Sequence, residues 1–197
     1  MGYCIDSSAD GFYEGTTCLI NKFDAKDEET LEALEAAITL EKIAELETNP
    51  IMNTFDIEHY KAIHRFLFED LFDWAGEFRT VNISKKGTAF ADCKQVEILL
   101  ANCLKRLSDL NFFCGMPFNR FIDNIVDLYC TTNMIHPFRE GNGRTQRVFI
   151  AQLIRFNGYE FDFSGIDSDE LMIATIHSAN GVNDYLKDLF KNNIRKK

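Results

Sequence analysis

The stretch His136-Pro137-Phe138-Arg139-Glu140-Gly141-Asn142-Gly143-Arg144-Thr145-Gln146-Arg147 places an imidazole, a carboxylate, a Gly-Asn-Gly turn and a pair of arginines just ahead of an apolar run. That run, Val148-Phe149-Ile150-Ala151-Gln152-Leu153-Ile154-Arg155-Phe156, has helical spacing and stops at Asn157-Gly158, a helix C-terminal signal. Gly141 and Gly143 therefore sit where a loop becomes a helix. Glycines there permit unusual backbone angles and leave main-chain N–H groups uncovered. A helix start adds unpaired donors and the positive end of the macrodipole, which together make an anion site.

Arg144 and Arg147 break the preference for acidic residues in a first helical turn, and at i, i+3 spacing they share a face. Two broken rules at one place call for a compensating ligand, and a polyphosphate supplies it. Glu140 beside this cationic nest is awkward unless a metal joins it to the phosphates. Magnesium takes one or two protein carboxylates and completes its octahedron with phosphate oxygens and water. His136 has an ordinary pKa near neutrality and can accept a hydroxyl proton. Each residue alone reads as a buried structural histidine or a solvated helix start. Their joint occurrence reads as transfer of a phosphorus centre to a hydroxyl.

The same stretch resembles the signature of the Fic family, H-x-F-x-[D/E]-G-N-G-R-x-x-R, with every defining position filled. The resemblance implies a general base at His136 and a Mg²⁺-holding carboxylate at Glu140. It further implies an anion hole formed by Gly141, Asn142 and Gly143. Arg144 would contact the β- and γ-phosphates, Arg147 would orient the γ-phosphate, and Phe138 would face inward as a structural residue. The implied reaction attaches AMP from ATP to a Tyr, Thr or Ser hydroxyl of a target protein and releases pyrophosphate. Relatives of this size include bacterial toxins that act on DNA gyrase and topoisomerase IV, which makes those the first target candidates.

Upstream, Ile63-His64-Arg65-Phe66 through Trp74-Ala75-Gly76-Glu77-Phe78-Arg79 resembles the family's helix ending in Trp-Ala-Gly-x-x-Arg. The next segment, residues 80–91, reads as a hairpin, with β-branched residues, a Lys-Lys-Gly turn and a second short apolar run. Its position matches the family's flap, which aligns a target segment by strand addition. Val81, Asn82, Ile83, Ser84, Lys85, Lys86, Gly87 and Thr88 are the candidate docking residues. The segment Asn180 to Leu186 resembles the family region near the adenine.

Many relatives silence themselves with a helix bearing [S/T]-x-x-x-E-[G/N]. Here Thr54-Phe55-Asp56-Ile57-Glu58 fills the first five positions, but His59 replaces the small sixth residue, and Asp56 and Glu58 have an ordinary capping explanation. The absence of a built-in brake resembles the class in which a small separate antitoxin supplies the inhibitory helix.

Other classes fit less well. A dinucleotide-binding Rossmann loop needs glycine where Gln146 stands, and a preceding strand. The kinase-like family variant departs from Gly-Asn-Gly. A silent binding module, or an enzyme moving another phosphate-containing group, remains the alternative. The net charge of −10 excludes non-specific nucleic-acid binding, which needs clustered Lys and Arg. No apolar run has transmembrane length, and Met1 to Asp6 lacks a signal-peptide start, so a cytoplasmic protein is expected, and the family resemblance points to a bacterial one. The cysteines at 4, 18, 93, 103, 114 and 130 form no Cys-x-x-Cys pair and read as reduced thiols. His59, His64 and His177 read as structural or surface groups.

Periodicity predicts helices over 28–46, from a cap at Asp56 to Phe72, and over 94–109, 118–135, 142–157, 168–179 and 182–193. Residues 1–27 read as irregular. The expected fold is all-α: a Fic-type helical bundle carrying a small β-hairpin flap, in one domain over 1–197, with the active-site loop at 136–147.

Overall fold

Helix α5 (Asn142–Phe156) buries every residue from Val148 to Ile154, so it is an axis of the molecule and not a surface helix. The computed structural model describes residues 4–5, 11–51, 54–85 and 88–196. Helices α1 (Glu28–Thr48), α2 (Ile57–Phe68) and α4 (Phe118–Ile135) pack directly on α5. Helix α3 (Val96–Asp109) covers α4, and α6 (Ser168–Ala179) and α7 (Asp184–Asn193) close over its far side. Among the described residues the fold is thus all-helical apart from short strands. Buried phenylalanines fill much of the core, where Phe55 meets Phe149 at a centroid distance of 5.6 Å, and the half-exposed Phe156 covers Phe55 at 5.2 Å.

Helix starts follow local chemistry. The Asp27 carboxylate accepts from the Thr30 N–H, Asp56 from that of His59, and Asp167 from those of Asp169 and Glu170. In the Thr54–Glu58 stretch the Thr54 hydroxyl donates to Asp56 (2.9 Å), and Glu58 stays exposed on the first turn of α2. That is a capping arrangement. Helix α2 ends at Phe68, short of the expected Phe72: the N–H groups of Leu71 and Phe72 converge on the Phe68 carbonyl (2.9 Å each) in a tightened turn, and the carbonyls of Glu69 and Leu71 then face Lys22. Lys22 takes both, through Nζ (2.7 Å) and through its own N–H (2.9 Å).

The flap is a hairpin of β2 (Ile83–Lys85) and β3 (Thr88–Ala89), with Ser84 opposite Ala89 and Lys85 opposite Thr88. Its turn residues, Lys86 and Gly87, lie outside the described residues. One expectation is corrected here. The segment read as irregular contributes β1 (Cys4–Ile5), which pairs antiparallel with β2 through Cys4–Ser84 and Ile5–Ile83, so β2 is the middle strand of three. Tyr159–Glu160 (β4) also pairs with Arg195–Lys196 (β5) and ties the chain end to the end of α5. Two-residue strands are held by position, without a side-chain period that a sequence could display. Among the described residues no helix is long and apolar enough to cross a membrane.

Candidate active site

Helix α4 ends at His136, which adopts a left-handed conformation (φ 48°, ψ 64°). That geometry costs a non-glycine residue about 1–2 kcal/mol and turns the chain sharply out of the helix. The imidazole Nδ1 lies 2.8 Å from the Asn133 carbonyl oxygen, an acceptor only. Nδ1 must therefore carry the proton, which places the lone pair on Nε2. Phe90, just past β3, stacks on the ring at 3.8 Å and 13°. Burial pushes the His136 pKa down to about 4; the Asn133 carbonyl opposes this, while Lys85 and Arg79 reinforce it.

The following loop closes on itself. Asn142 Oδ1 accepts from the Phe138 N–H (2.8 Å) and its Nδ2 donates to the Phe138 carbonyl (2.7 Å). The Asn142 side chain is thus spent inside the loop, and what it can offer an anion is its main-chain N–H at the start of α5. Phe138 is fully buried, stacked on His64 at 3.7 Å and parallel to Tyr60 at 5.9 Å. Gly141 has φ +77°, and a Cβ there would overlap the Phe68 ring. Glu140 Oε1 accepts from the Gly141 N–H (2.9 Å) and lies 3.7 Å from Arg144.

The two arginines differ. Arg144 pairs with Glu35, donates to Thr39 Oγ1 (3.3 Å), and lies over the Phe68 ring at 4.8 Å. Burial raises the Glu35 pKa, and Arg144 counters it. The Arg147 side chain, by contrast, makes no hydrogen bond or ion pair among the described residues. It lies beside Gly143, where a Cβ would come 3.2 Å from its Nη1, and burial lowers its pKa. A half-buried cation without a counter-ion is a standing invitation to an anion.

His136, Glu140, Gly141, Gly143, Arg144 and Arg147 line one cleft of about 530 Å³. The flap contributes Lys85, Thr88 and Phe90. Of the other candidate flap residues, Ile83 is buried, Val81 and Ser84 are half-buried, and exposed Asn82 accepts from the Cys93 N–H (2.8 Å). The opposite wall is apolar: Phe163, Ile166, Leu171, Met172, Ile176 and Ala179. It is built by α6 and the turn before it, and residues 180–186 do not line the cleft. Thr175, on that wall, hydrogen-bonds Tyr129 (3.0 Å).

Several residues here had no legible role in the sequence. His64 is buried, its Nδ1 accepts from the Gly76 N–H (2.8 Å), and its Nε2 donates to the Glu140 carbonyl (3.0 Å). It ties the Trp-Ala-Gly turn to the anion loop, and burial pushes its pKa down to about 3. Glu35 and Thr39 occupy the buried line of α1 together with Leu31 and Leu46. Polar residues at i, i+4 on a buried stripe were the available signal.

The low histidine pKa values make a prediction. The unfolded chain takes up protons near pH 6.5, whereas folded His136 and His64 stay neutral, so stability is full above that pH and falls as pH drops toward 4. In ¹³C-labelled protein the His136 ring signal should hold still from pH 8 to pH 5 and move only near pH 4. Titration near 6.5 would show that the ring is not buried as described.

A helical core whose cleft brings together a histidine, a glycine-flanked helix start and two arginines defines a class of fold and site. Sequence comparison gives that class a family: the Fic/DOC family profile matches residues 54–154, and the chain belongs to that family. It is 35% identical over 91% of its length to the protein adenylyltransferase VbhT of Bartonella schoenbuchensis, of which it spans 37%. It is 30% identical over 80% of its length to a probable protein adenylyltransferase Fic of Escherichia coli K12, covering 78% of that protein. The crystal structure of BepC from Bartonella tribocorum, which has AMPPNP bound, superposes with a TM-score of 0.88 at 29% identity, covering 94% of this chain and 96% of that one.

Proposed function

We propose that the chain is a protein adenylyltransferase that moves AMP from ATP to a Tyr, Thr or Ser hydroxyl of a target protein. The observation that carries this reading is the pairing in one cleft of a neutral imidazole, basic at Nε2, with Arg147, a guanidinium that has no counter-ion among the described residues. His136 Nε2 takes the proton of the target hydroxyl, whose oxygen forms a bond to the α-phosphorus. The bond from that phosphorus to the bridging oxygen breaks, and pyrophosphate leaves. The N–H groups at the start of α5 and the two arginines receive the phosphates, and the apolar α6 wall suits a purine face.

Glu140 is the one carboxylate among the described residues lining the cleft, and no group of three or more His, Cys, Asp or Glu there could hold a metal alone. That donor set fits Mg²⁺, which accepts a single carboxylate when phosphate oxygens and water complete its shell. When bound, the ion would neutralise charge on the phosphates. Glu140→Ala should therefore erase most of the gain in ATP affinity that Mg²⁺ brings, as read by calorimetry with and without the metal. An unchanged metal dependence would remove Glu140 from the site.

The function itself is tested by incubating the purified chain with a bacterial lysate and ATP labelled at either the α- or the γ-phosphorus. Label should pass to protein from the α position only. Transfer from the γ position would mean phosphorylation, and no transfer from either would favour the binding-module alternative. Mass spectrometry of the labelled band reads the target, with DNA gyrase and topoisomerase IV as the candidates by family resemblance.

The flap is the proposed docking strand. Ser84→Pro, in the middle strand, should cut transfer roughly tenfold or more while ATP binding survives, because main-chain pairing carries such contacts. Undiminished transfer would make the hairpin a plain surface turn.

Control by a separate antitoxin is supported by Arg147, which also lines a second hollow of about 350 Å³ between α1 and α5. There Gln152 Nε2 is buried without a partner, its Oε1 being held by His59 (2.8 Å). A partner glutamate reaching Arg147 along this hollow would form a charge-assisted pair and displace the productive phosphate pose. Loss of inhibition when that glutamate is changed to glycine is the expected readout. Inhibition that survives the change would place the brake elsewhere.

A further inference from the structure

Arg79 closes the Trp74–Arg79 segment and is 4% exposed, yet among the described residues none of its hydrogen bonds goes to a carboxylate. Nε donates to the carbonyl of His136 (2.8 Å) and Nη1 to that of Val81 (2.8 Å). Nη2 donates to the carbonyls of Ala91 and of Ile135 (3.3 Å). The main chain continues the pattern: the Arg79 N–H donates to the Pro137 carbonyl (2.9 Å), and the Ala91 N–H to that of Met134 (3.0 Å).

These acceptors belong to two objects. Val81 and Ala91 are the two roots of the flap, one before β2 and one after β3. Ile135 and His136 are the turn that carries the base, in the left-handed conformation that must be held from outside. A guanidinium fork can bond four carbonyls of fixed direction at once, whereas an ammonium is a single point. Among the described residues Arg79 has no hydrogen bond or ion pair with Glu140, Gly141, Gly143, Arg144 or Arg147, so the phosphate side of the cleft does not depend on it directly.

We propose that Arg79 is a positioning residue that locks the flap roots to the His136 turn, so that the docking strand and the basic nitrogen reach a target as one rigid unit. This rests on the base and flap roles assigned above. Phe90, stacked on the His136 ring, is the second link between the same two objects. The lock acts on the protein substrate and not on the nucleotide, because what it aligns is the incoming hydroxyl with Nε2.

The test compares wild type, Arg79→Met and Arg79→Lys by thermal unfolding, by calorimetric ATP affinity, and by the rate at which α-labelled ATP marks the protein band that wild type labels. Arg79→Met should bind ATP within twofold of wild type and label at least tenfold more slowly. Its His136 ring signal should also move, which a purely stabilising role would not cause in a chain that stays folded. Arg79→Lys keeps the charge and loses the fork, so it should remain at least fivefold slow.

Any of these results would overturn the lock: labelling within twofold of wild type in Arg79→Met, full recovery in Arg79→Lys, or loss of ATP binding in step with labelling. Unfolding of both variants would make Arg79 a residue of the fold and equally refute the proposal. His136→Ala separates this from the underlying reading, since near-normal transfer in that variant would sink the base assignment whatever Arg79 does.

Discussion

Replacing His136 by alanine should lower AMP transfer by about 10²–10⁴-fold, the usual worth of a positioned general base, and leave ATP affinity nearly unchanged. The imidazole lies at the end of α4, its Nδ1 proton is committed to the Asn133 carbonyl, and the proposed phosphate-binding groups come from α5. Removal therefore takes away the proposed acceptor for the hydroxyl proton without touching the proposed anion hole. Turnover should fall with little change in the KM for ATP, the pattern of an interaction made only in the transition state. His136→Asn should not recover the rate, because an amide cannot take up the proton. Near-normal transfer by His136→Ala would show that another group is the base.

Gly141→Ala is the second large effect, and it arises from space and backbone together. The position has φ +77°, which costs an L-residue about 1–2 kcal/mol, and the new methyl would overlap the Phe68 ring. Phe68 cannot retreat easily, because it is fully buried and lies beneath the Arg144 guanidinium. The loop must move instead, and it carries the start of α5 with it. ATP affinity should drop at least tenfold, in contrast to His136→Ala, with a lower unfolding temperature. Adding Phe68→Leu should relieve the overlap and restore part of the affinity, leaving the backbone cost in place. If Gly141→Ala binds ATP as wild type does, the loop is not the phosphate cradle.

What the sequence made legible was what lies close together along it. Gly141, Arg144, Arg147 and His136 fall within twelve residues, and loop, turn and helix start are all local structures, so their type could be read from spacing. The same holds for six of the seven helices among the described residues, whose ends follow Asp caps or apolar period; α2 alone stops early, where the N–H groups of Leu71 and Phe72 converge on the Phe68 carbonyl. The Glu35–Arg144 pair was hidden because it joins residues far apart, so that the polar Glu35 and Thr39 on a buried stripe gave no hint of which residue they meet. The bonds of Arg79 were hidden for a different reason. Their acceptors are carbonyls, which every residue possesses, so no pattern of side chains announces them. His64 read as a structural histidine, and only the fold shows that it holds the Glu140 carbonyl.

The strand Cys4–Ile5 on the flap changes the economics of recognition. It belongs to the same molecule as its seat on β2, and a tethered segment presents itself at an effective concentration of roughly millimolar, independent of how much protein is in solution. A target segment approaching β2 from that side is a competitor and not a first occupant, and its apparent affinity is reduced by the fraction of time the seat is taken. The outer edge of β3 carries no such tenant among the described residues, so addition there requires no eviction. Dilution would weaken a target's grip on either edge, but it cannot loosen the resident strand.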